Sequence, residues 1–265
     1  MLDSFLSYVF SSQWRVLPLC LVLLVAATEL SYHFGLKLHH SNDEARKGQI
    51  GGIQAAILGL LALLLGFTFA LAVQRYETRR SLVVQEANAI GTTYLRAALL
   101  PPPQQYAVEE LFRRYVDVRL DYYDAGQDEA KLEAAEQQGA EIQRDLWTHA
   151  VAASQEAPTP IVATFVTSLN GVIDLDATRL NALRTHVPGA VWIILLAVAG
   201  CGCYVSGYGA GASGARSTFS SFVLPVLIAL VISLISDIDR PRGGLISIKQ
   251  QPMIDLQQTM DARTP

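Results

Sequence analysis

Apolar residues are concentrated in four long blocks of the chain. A hydrocarbon core about 30 Å thick needs about 20 apolar residues in a helix to cross it. Four segments reach that length, namely residues 16–35, 53–73, 190–209 and 217–236. The second has no charged residue, and Gln54 is its only strongly polar one. Because lipid offers no hydrogen-bond partner to open backbone groups, each block is predicted to be a transmembrane helix.

Lys and Arg residues near the ends of these blocks predict the orientation. Nine of them lie on one side of the predicted topology, and only Lys37, Arg46, Lys47 and Arg216 lie on the other. Since cytoplasmic loops carry the excess of positive charge, both termini and the segment 74–189 are expected to be cytoplasmic.

The long segment between the second and third blocks has the pattern of helices. Val83, Ala87, Ile90 and Tyr94 recur at steps of four, three and four, which is the spacing of one helical face. This face predicts one helix that continues unbroken from the second span and ends before the three prolines at 101–103. Further helices are expected over 104–123, 128–154 and 160–186.

These elements predict an all-α integral membrane protein with four transmembrane helices and a cytoplasmic helical bundle. The expected domains are a first membrane helix pair (1–73), a cytoplasmic helical domain (74–189), a second membrane helix pair (190–236) and a cytoplasmic C-terminal tail (237–265).

Composition and charge do not favour several classes of protein. Hydrophobic residues make up 51% of the chain and charged residues 17%, and the net charge is −4. An acidic chain without a basic patch does not favour nucleic-acid binding. The three cysteines all lie inside apolar blocks, so they predict neither a disulfide framework nor a zinc site.

Few residues suggest chemistry. No hydrolase, zinc-protease or nucleotide-binding motif is present, so an enzyme is not predicted. His39, His40, Asp43 and Glu44 have side chains that could hold a metal, but an exposed polar loop contains such residues by chance more often, and no metal site is predicted. The small-residue run 206–217 is interpreted as a tight turn, in which Gly207 and Gly211 could let helix ends pack closely.

Glu29 is the one acid inside a predicted span. An intramembrane acid is costly and is by default a functional candidate. The alternative, which we favour, is that Glu29 lies near the extracytoplasmic end of its span, where it reaches water or Tyr204.

The second span presents two faces of interest. Gly59, Leu63 and Phe67 recur at steps of four and could form a hydrophobic constriction around a pore, or could simply face lipid. A neighbouring face holds small residues suited to close helix contact: Gly59, Ala62 and Gly66, followed by Phe69. Arg75 follows the span, where it could anchor a headgroup or draw anions toward a pore mouth.

Three stretches resemble a known family. Residues 65–76 (LGFTFALAVQRY), 86–101 (EANAIGTTYLRAALLP) and 237–244 (DIDRPRGG) resemble the bacterial bestrophin-like membrane proteins. More distantly, the chain is similar to the bestrophins, which are pentameric anion channels with four spans and a large cytoplasmic helical segment. The resemblance implies that Gly59, Leu63 and Phe67 line the pore and that Arg75 lies at its mouth. Gly59 departs from the bestrophin pattern, because glycine would leave the first of three apolar rings open.

Animal bestrophins also bind calcium through an acidic run after the fourth span. Here that place holds only Asp237 and Asp239, beside Arg240 and Arg242. We interpret both acids as helix-end and ion-pair residues and predict no bound cofactor.

The leading hypothesis is therefore a homo-oligomeric, pentameric and anion-selective channel in the inner membrane of a bacterium. Its partners would be further copies of the chain, bilayer lipid and inorganic ions. The alternative is a non-conducting membrane scaffold or sensor, in which Tyr76, Val83 and Ile90 form a surface for a partner or for self-association.

Overall fold

The computed structural model describes residues 13–37, 44–214, 218–240, 242 and 244–262, and the regular structure in these ranges is α-helical throughout. The helices are α1 (Gln13–Lys37), α2 (Glu44–Ala97), α3 (Pro102–Asp124), α4 (Glu129–Glu156), α5 (Pro160–Arg184), α6 (Gly189–Ser213), α7 (Thr218–Asp239) and α8 (Gln251–Asp261). The predicted all-α class is confirmed.

Among the described residues, four helical stretches are long and apolar enough to cross a membrane: Arg15–Lys37, Gly48–Ala97, Pro160–Ser213 and Ser221–Asp239. Each overlaps one of the four apolar blocks of the sequence, and the third block lies within α6. The predicted number of spans is thus confirmed by length and composition.

Helix α2 continues without interruption for 54 residues. Beyond Ala97 the chain makes a turn in which the Leu99 and Leu100 amides donate to the Arg96 and Ala97 carbonyls, at 2.9 and 3.0 Å. Pro101 then precedes α3, and Pro102 occupies its first turn, where the missing N–H costs nothing. The prolines therefore end one helix and begin the next.

The chain divides into two compact units. The first, called the span unit here, comprises residues up to Arg75 together with His186–Ile246. The second, called the bundle unit, comprises Tyr76–Thr185 together with residues from Ser247 onward. The C-terminal residues form helix α8 within the bundle unit, a helix that the expected tail 237–265 did not include.

In the span unit, α1 packs against α6 and α7. Small residues let the backbones of α1 and α6 approach closely. A Cβ atom placed on Gly35 would lie 2.5 Å from the Tyr208 carbonyl oxygen, and a Cβ on Gly207 or Gly211 would overlap the backbone of Thr28 or Tyr32. The predicted role of the two glycines in close helix packing is therefore confirmed.

The interpretation of 206–217 as a turn is wrong for most of that run. Helix α6 continues to Ser213, and Gly214 ends it in the left-handed conformation, with φ of 67°. Glycine takes this conformation without steric cost, which is why it ends helices so often. Residues 215–217 lie outside the described ranges.

The bundle unit is built on a single hydrophobic core. Polar caps begin two of its helices: the Asp128 carboxylate accepts from the Lys131 amide at 3.2 Å, and the Thr159 hydroxyl accepts from the Val162 amide at 3.3 Å. Helices α2 to α5 and α8 supply the core, whose largest fully buried members are Ile90, Phe112, Tyr115, Ile142, Leu146, Phe165, Leu169 and Met253.

The close contact of α1 and α6 can be tested with Gly207→Ala. We expect the variant to unfold at a lower temperature, because overpacking costs about 1–3 kcal/mol and the clash here is with backbone that cannot rotate away. The matched control is Gly200→Ala on the same helix, where a Cβ would meet no atom within 4 Å. Thermal unfolding in detergent, followed by circular dichroism, measures the difference. Equal midpoints would contradict this account of the helix pair.

Candidate functional site

The part of α2 inside the span unit buries one side. Leu61, Thr68 and Ala72 are buried, and steps of seven and four residues keep them on one face. Contacts with α6 are made by side chains, since a Cβ on Gly202 would lie 3.3 Å from Leu58. This side faces the other spans of the same chain.

The opposite side of α2 carries the residues expected to line a pore. Leu63 and Phe67 are 54% and 62% exposed, and a Cβ on Gly59 would meet no atom within 4 Å. Leu63 lies two residues after the buried Leu61. At 3.6 residues per turn, its side chain therefore points about 200° around the helix axis from that of Leu61. Gly59, Leu63 and Phe67 therefore share a face that none of the described residues covers.

The small-residue face next to it does not pack against the described part of the chain either. Ala62 and Gly66 are exposed, and a Cβ on Gly66 would meet nothing within 4 Å. The expectation of close helix contact at this face is thus not met by the helices of one subunit.

Arg75 lies on the buried side of α2, seven residues after Thr68. Its guanidinium Nη1 is 3.7 Å from Oδ1 of Asp239, with exposed side-chain fractions of 27% and 5%. The same carboxylate accepts from the Val187 amide at 2.9 Å. Much of the Arg75 charge is therefore compensated by a buried acid at the end of α7.

Asp237 closes the loop that follows α7. Its two carboxylate oxygens accept from the Leu245 and Ile246 amides, each at 3.0 Å. The interpretation of Asp237 and Asp239 as helix-end and ion-pair residues is confirmed by these bonds and by the pair with Arg75.

The remaining sequence candidates add little to the site. Glu29 is half-buried on α1, and its functional role stays a prediction. His39, His40 and Asp43 lie outside the described residues, and among the residues that are described no group of three or more His, Cys, Asp or Glu side chains could hold a metal ion.

A buried cluster of charges in the bundle unit was missed by the sequence analysis. The fully buried carboxylate of Glu86 on α2 pairs with two guanidinium groups, those of Arg119 on α3 and Arg179 on α5. The Arg119 Nε–Glu86 Oε1 distance is 2.8 Å, and Arg119 also pairs with Asp176 at 2.7 Å. Arg179 donates to the Gln250 side chain at 2.5 Å, so residues preceding α8 join the cluster.

Mutual pairing keeps this cluster charged. Burial alone would lower the pKa of Arg119, but Glu86 and Asp176 outweigh it and raise that pKa above its ordinary value. Burial lowers the pKa of Arg179 against the opposing effect of Glu86. Burial also raises the pKa of the Tyr115 phenol, which accepts from Gln143 at 2.9 Å. Since guanidinium groups stay protonated in proteins, the two arginines supply the charge that a buried carboxylate requires.

One sequence signal could have revealed the cluster. Glu86 lies three residues after Val83 and four before Ile90, so it occupies the apolar face of α2. Arg119 similarly lies between Tyr115 and Tyr122 on the apolar face of α3. A charge at a core position predicts an opposite charge from another helix.

The same burial corrects the alternative hypothesis. Val83 and Ile90 are buried in the bundle unit, at 3% and 0% exposure. The predicted interaction surface of Tyr76, Val83 and Ile90 is therefore not formed, because Val83 and Ile90 are buried within the chain and Tyr76 is half-buried.

These features define a helical membrane protein in which much of the second span, including the face of Gly59, Leu63 and Phe67, is not covered by the described residues. A family model described as the Bestrophin-like domain matches residues 19–253, and the chain belongs to this family. The predicted resemblance is confirmed.

Solved structures share the fold at low sequence identity. A crystal structure of a bacterial bestrophin homologue from Klebsiella pneumoniae is 16% identical, covers 94% of this chain and 98% of its own, and gives a TM-score of 0.65. A point mutant of that homologue is 15% identical, with 96% and 99% coverage and a TM-score of 0.66. A structure described only as a membrane protein is 14% identical, with 94% and 97% coverage and a TM-score of 0.66. No curated protein matches the chain.

The buried cluster can be tested with Glu86→Ala. We expect a loss of about 3–5 kcal/mol in the free energy of unfolding, because two buried guanidinium groups lose their shared partner. The control is Glu110→Ala, because the Glu110 side chain is 64% exposed and its carboxylate lies 3.3 Å from Arg113, so that this pair is worth less than about 1 kcal/mol. Denaturant unfolding in detergent measures both variants. Similar losses in the two would contradict a stabilising role for the cluster.

Proposed function

We propose that this protein is a homo-oligomeric ion channel whose pore is lined by the second span, with Gly59, Leu63 and Phe67 facing the axis. The observation that carries the proposal is the uncovered apolar face of α2, which lies directly opposite the face that the chain buries. Membership of the Bestrophin-like family supports it, since the bestrophins are ion channels.

Lipid could also cover the face of Gly59, Leu63 and Phe67. The part of α2 in the bundle unit favours contact with another subunit. Helix α2 continues there with Val84 and Leu95 exposed, at 43% and 52%. Both residues lie outside the apolar block, on a face of α2 that also exposes Asn88 and Thr92, so lipid is not the expected cover there. A ring of subunits around α2 would cover this mixed face along the helix.

Five copies is the number that the resemblance to bestrophins implies. Rings form when a subunit uses two different surfaces and the rotation closes. Within such a ring, Leu63 and Phe67 would narrow the pore with apolar side chains that gate by excluding water. Gly59 would leave the far end of this constriction wide.

The prediction of anion selectivity depends on Arg75. The pairing of Arg75 with Asp239 and its place on the buried side of α2 give that preference little support. The proposal is therefore for an ion channel, and both orientation in the membrane and location in a bacterial inner membrane stay predictions.

The channel can be tested with Phe67→Ala in purified protein reconstituted into liposomes. We expect ion flux through the wild type and a several-fold faster flux through the variant, because removing the ring widens and wets the constriction. The matched control is Phe222→Ala, an exposed phenylalanine on the fourth span. Fluorescent reporters of K⁺ and of Cl⁻ entry measure the flux. The proposal fails if the wild type passes no ions, or if both variants behave like the wild type.

A scaffold remains the rival class, although Val83 and Ile90 of its predicted surface are buried. Electron microscopy of the purified protein, together with a measurement of its mass, separates the two. A closed ring with an axial opening supports the channel, and a monomer or closed dimer would contradict it.

A further inference from the structure

Four charged side chains follow Phe67 on α2 before Val84, and the structure assigns them different environments. They are Arg75, Glu77, Arg79 and Arg80. Two of them bind groups of the same chain, through an ion pair or hydrogen bonds, and two are exposed to solvent. Only the exposed pair is available to act on an ion that approaches from solution.

The two residues that bind groups of the same chain are both arginines. Arg75 pairs with the buried carboxylate of Asp239. Arg79 is 2% exposed and donates to the Ala182 and Thr185 carbonyls at 3.0 and 2.7 Å, at the end of α5. Their positive charges are therefore engaged in holding the fold.

Glu77 and Arg80 are the exposed pair, with 58% and 65% of their side chains accessible and 3.8 Å between Glu77 Oε2 and Arg80 Nη1. Such a pair is weak and is readily screened by salt. The two residues differ in their place around α2. Glu77 lies 14 residues after Leu63, about 40° from it at 3.6 residues per turn, whereas Arg80 lies about 100° away.

We propose that Glu77, rather than Arg75, sets the charge preference of permeation, by placing a ring of carboxylates beyond the apolar constriction and so favouring cations. The proposal rests on the proposed function, because it needs a pore along the Leu63 face of α2. Rings of acidic side chains raise the local cation concentration and select cations in pores. The neutral Gln74 and Ser81 flank Glu77 on this face, so no other charge of α2 between Phe67 and Val84 lies closer to the axis.

The experiment uses the full chain in planar bilayers with a tenfold KCl gradient. We expect a reversal potential on the cation side for the wild type, and a permeability ratio of K⁺ to Cl⁻ that falls roughly tenfold in Glu77→Gln. Glu77→Lys should move the reversal potential to the anion side. Higher salt on both sides should weaken the wild-type preference, since screening shortens the reach of the ring.

Glu110→Gln is the matched control. Glu110 is 64% exposed and pairs with an arginine three residues later, as Glu77 does, but it lies on α3. We expect its permeability ratio to equal that of the wild type. Because Glu77 is exposed, its variants should fold, and unchanged elution in size-exclusion chromatography checks this.

The outcomes separate this proposal from the channel itself. Currents that are unchanged in Glu77→Gln overturn the role of Glu77 and leave the channel intact. A wild-type preference for anions that disappears in Arg75→Gln also overturns it. Absence of any current in the wild type overturns the channel, and with it the proposed role of Glu77.

Discussion

The one-sided burial of a single long helix is the constraint on which the rest of the structure depends. Helix α2 satisfies its backbone internally, as any membrane span must, but it covers only one side of its surface with the rest of the chain. Leu61, Thr68 and Ala72 face neighbouring helices, while Leu63 and Phe67 do not. A protein that exposes so much apolar surface along one helix needs a second molecule or lipid to cover it.

In the bundle unit, α2 is held by ion pairs as well as by apolar packing. Glu86 could not be buried alone, since an unpaired carboxylate in an apolar core is far too costly. Two arginines from different helices supply its partners. Ion pairs of this kind contribute less to stability than their geometry suggests, but they fix which residues meet. We therefore expect this polar contact to help fix the rotational register of α2 against α3 and α5.

Much of the fold could be predicted from the sequence, for reasons that are visible in particular residues. The length of the apolar blocks predicts the number and position of the transmembrane helices, and the prolines at 101–103 predict where α2 ends. Helix α8 was missed because it has only 11 residues, with few apolar positions among polar ones. The pair of Arg75 with Asp239 joins residues that are distant in sequence, so no local pattern reveals it. The side of α2 on which Arg75 lies, however, follows from its seven-residue spacing from Thr68 and could have been predicted.

The contact between α1 and α6 has a mechanical consequence. These helices meet backbone to backbone at Gly35, Gly207 and Gly211, and close-packed surfaces of this kind resist sliding. Helix α2 touches α6 through side chains such as Leu58 and Ile50 instead, and side chains can change rotamer. We therefore expect a change in the tilt of α2 to cost less free energy than a sliding of α1 against α6, because only the sliding would move backbone against backbone.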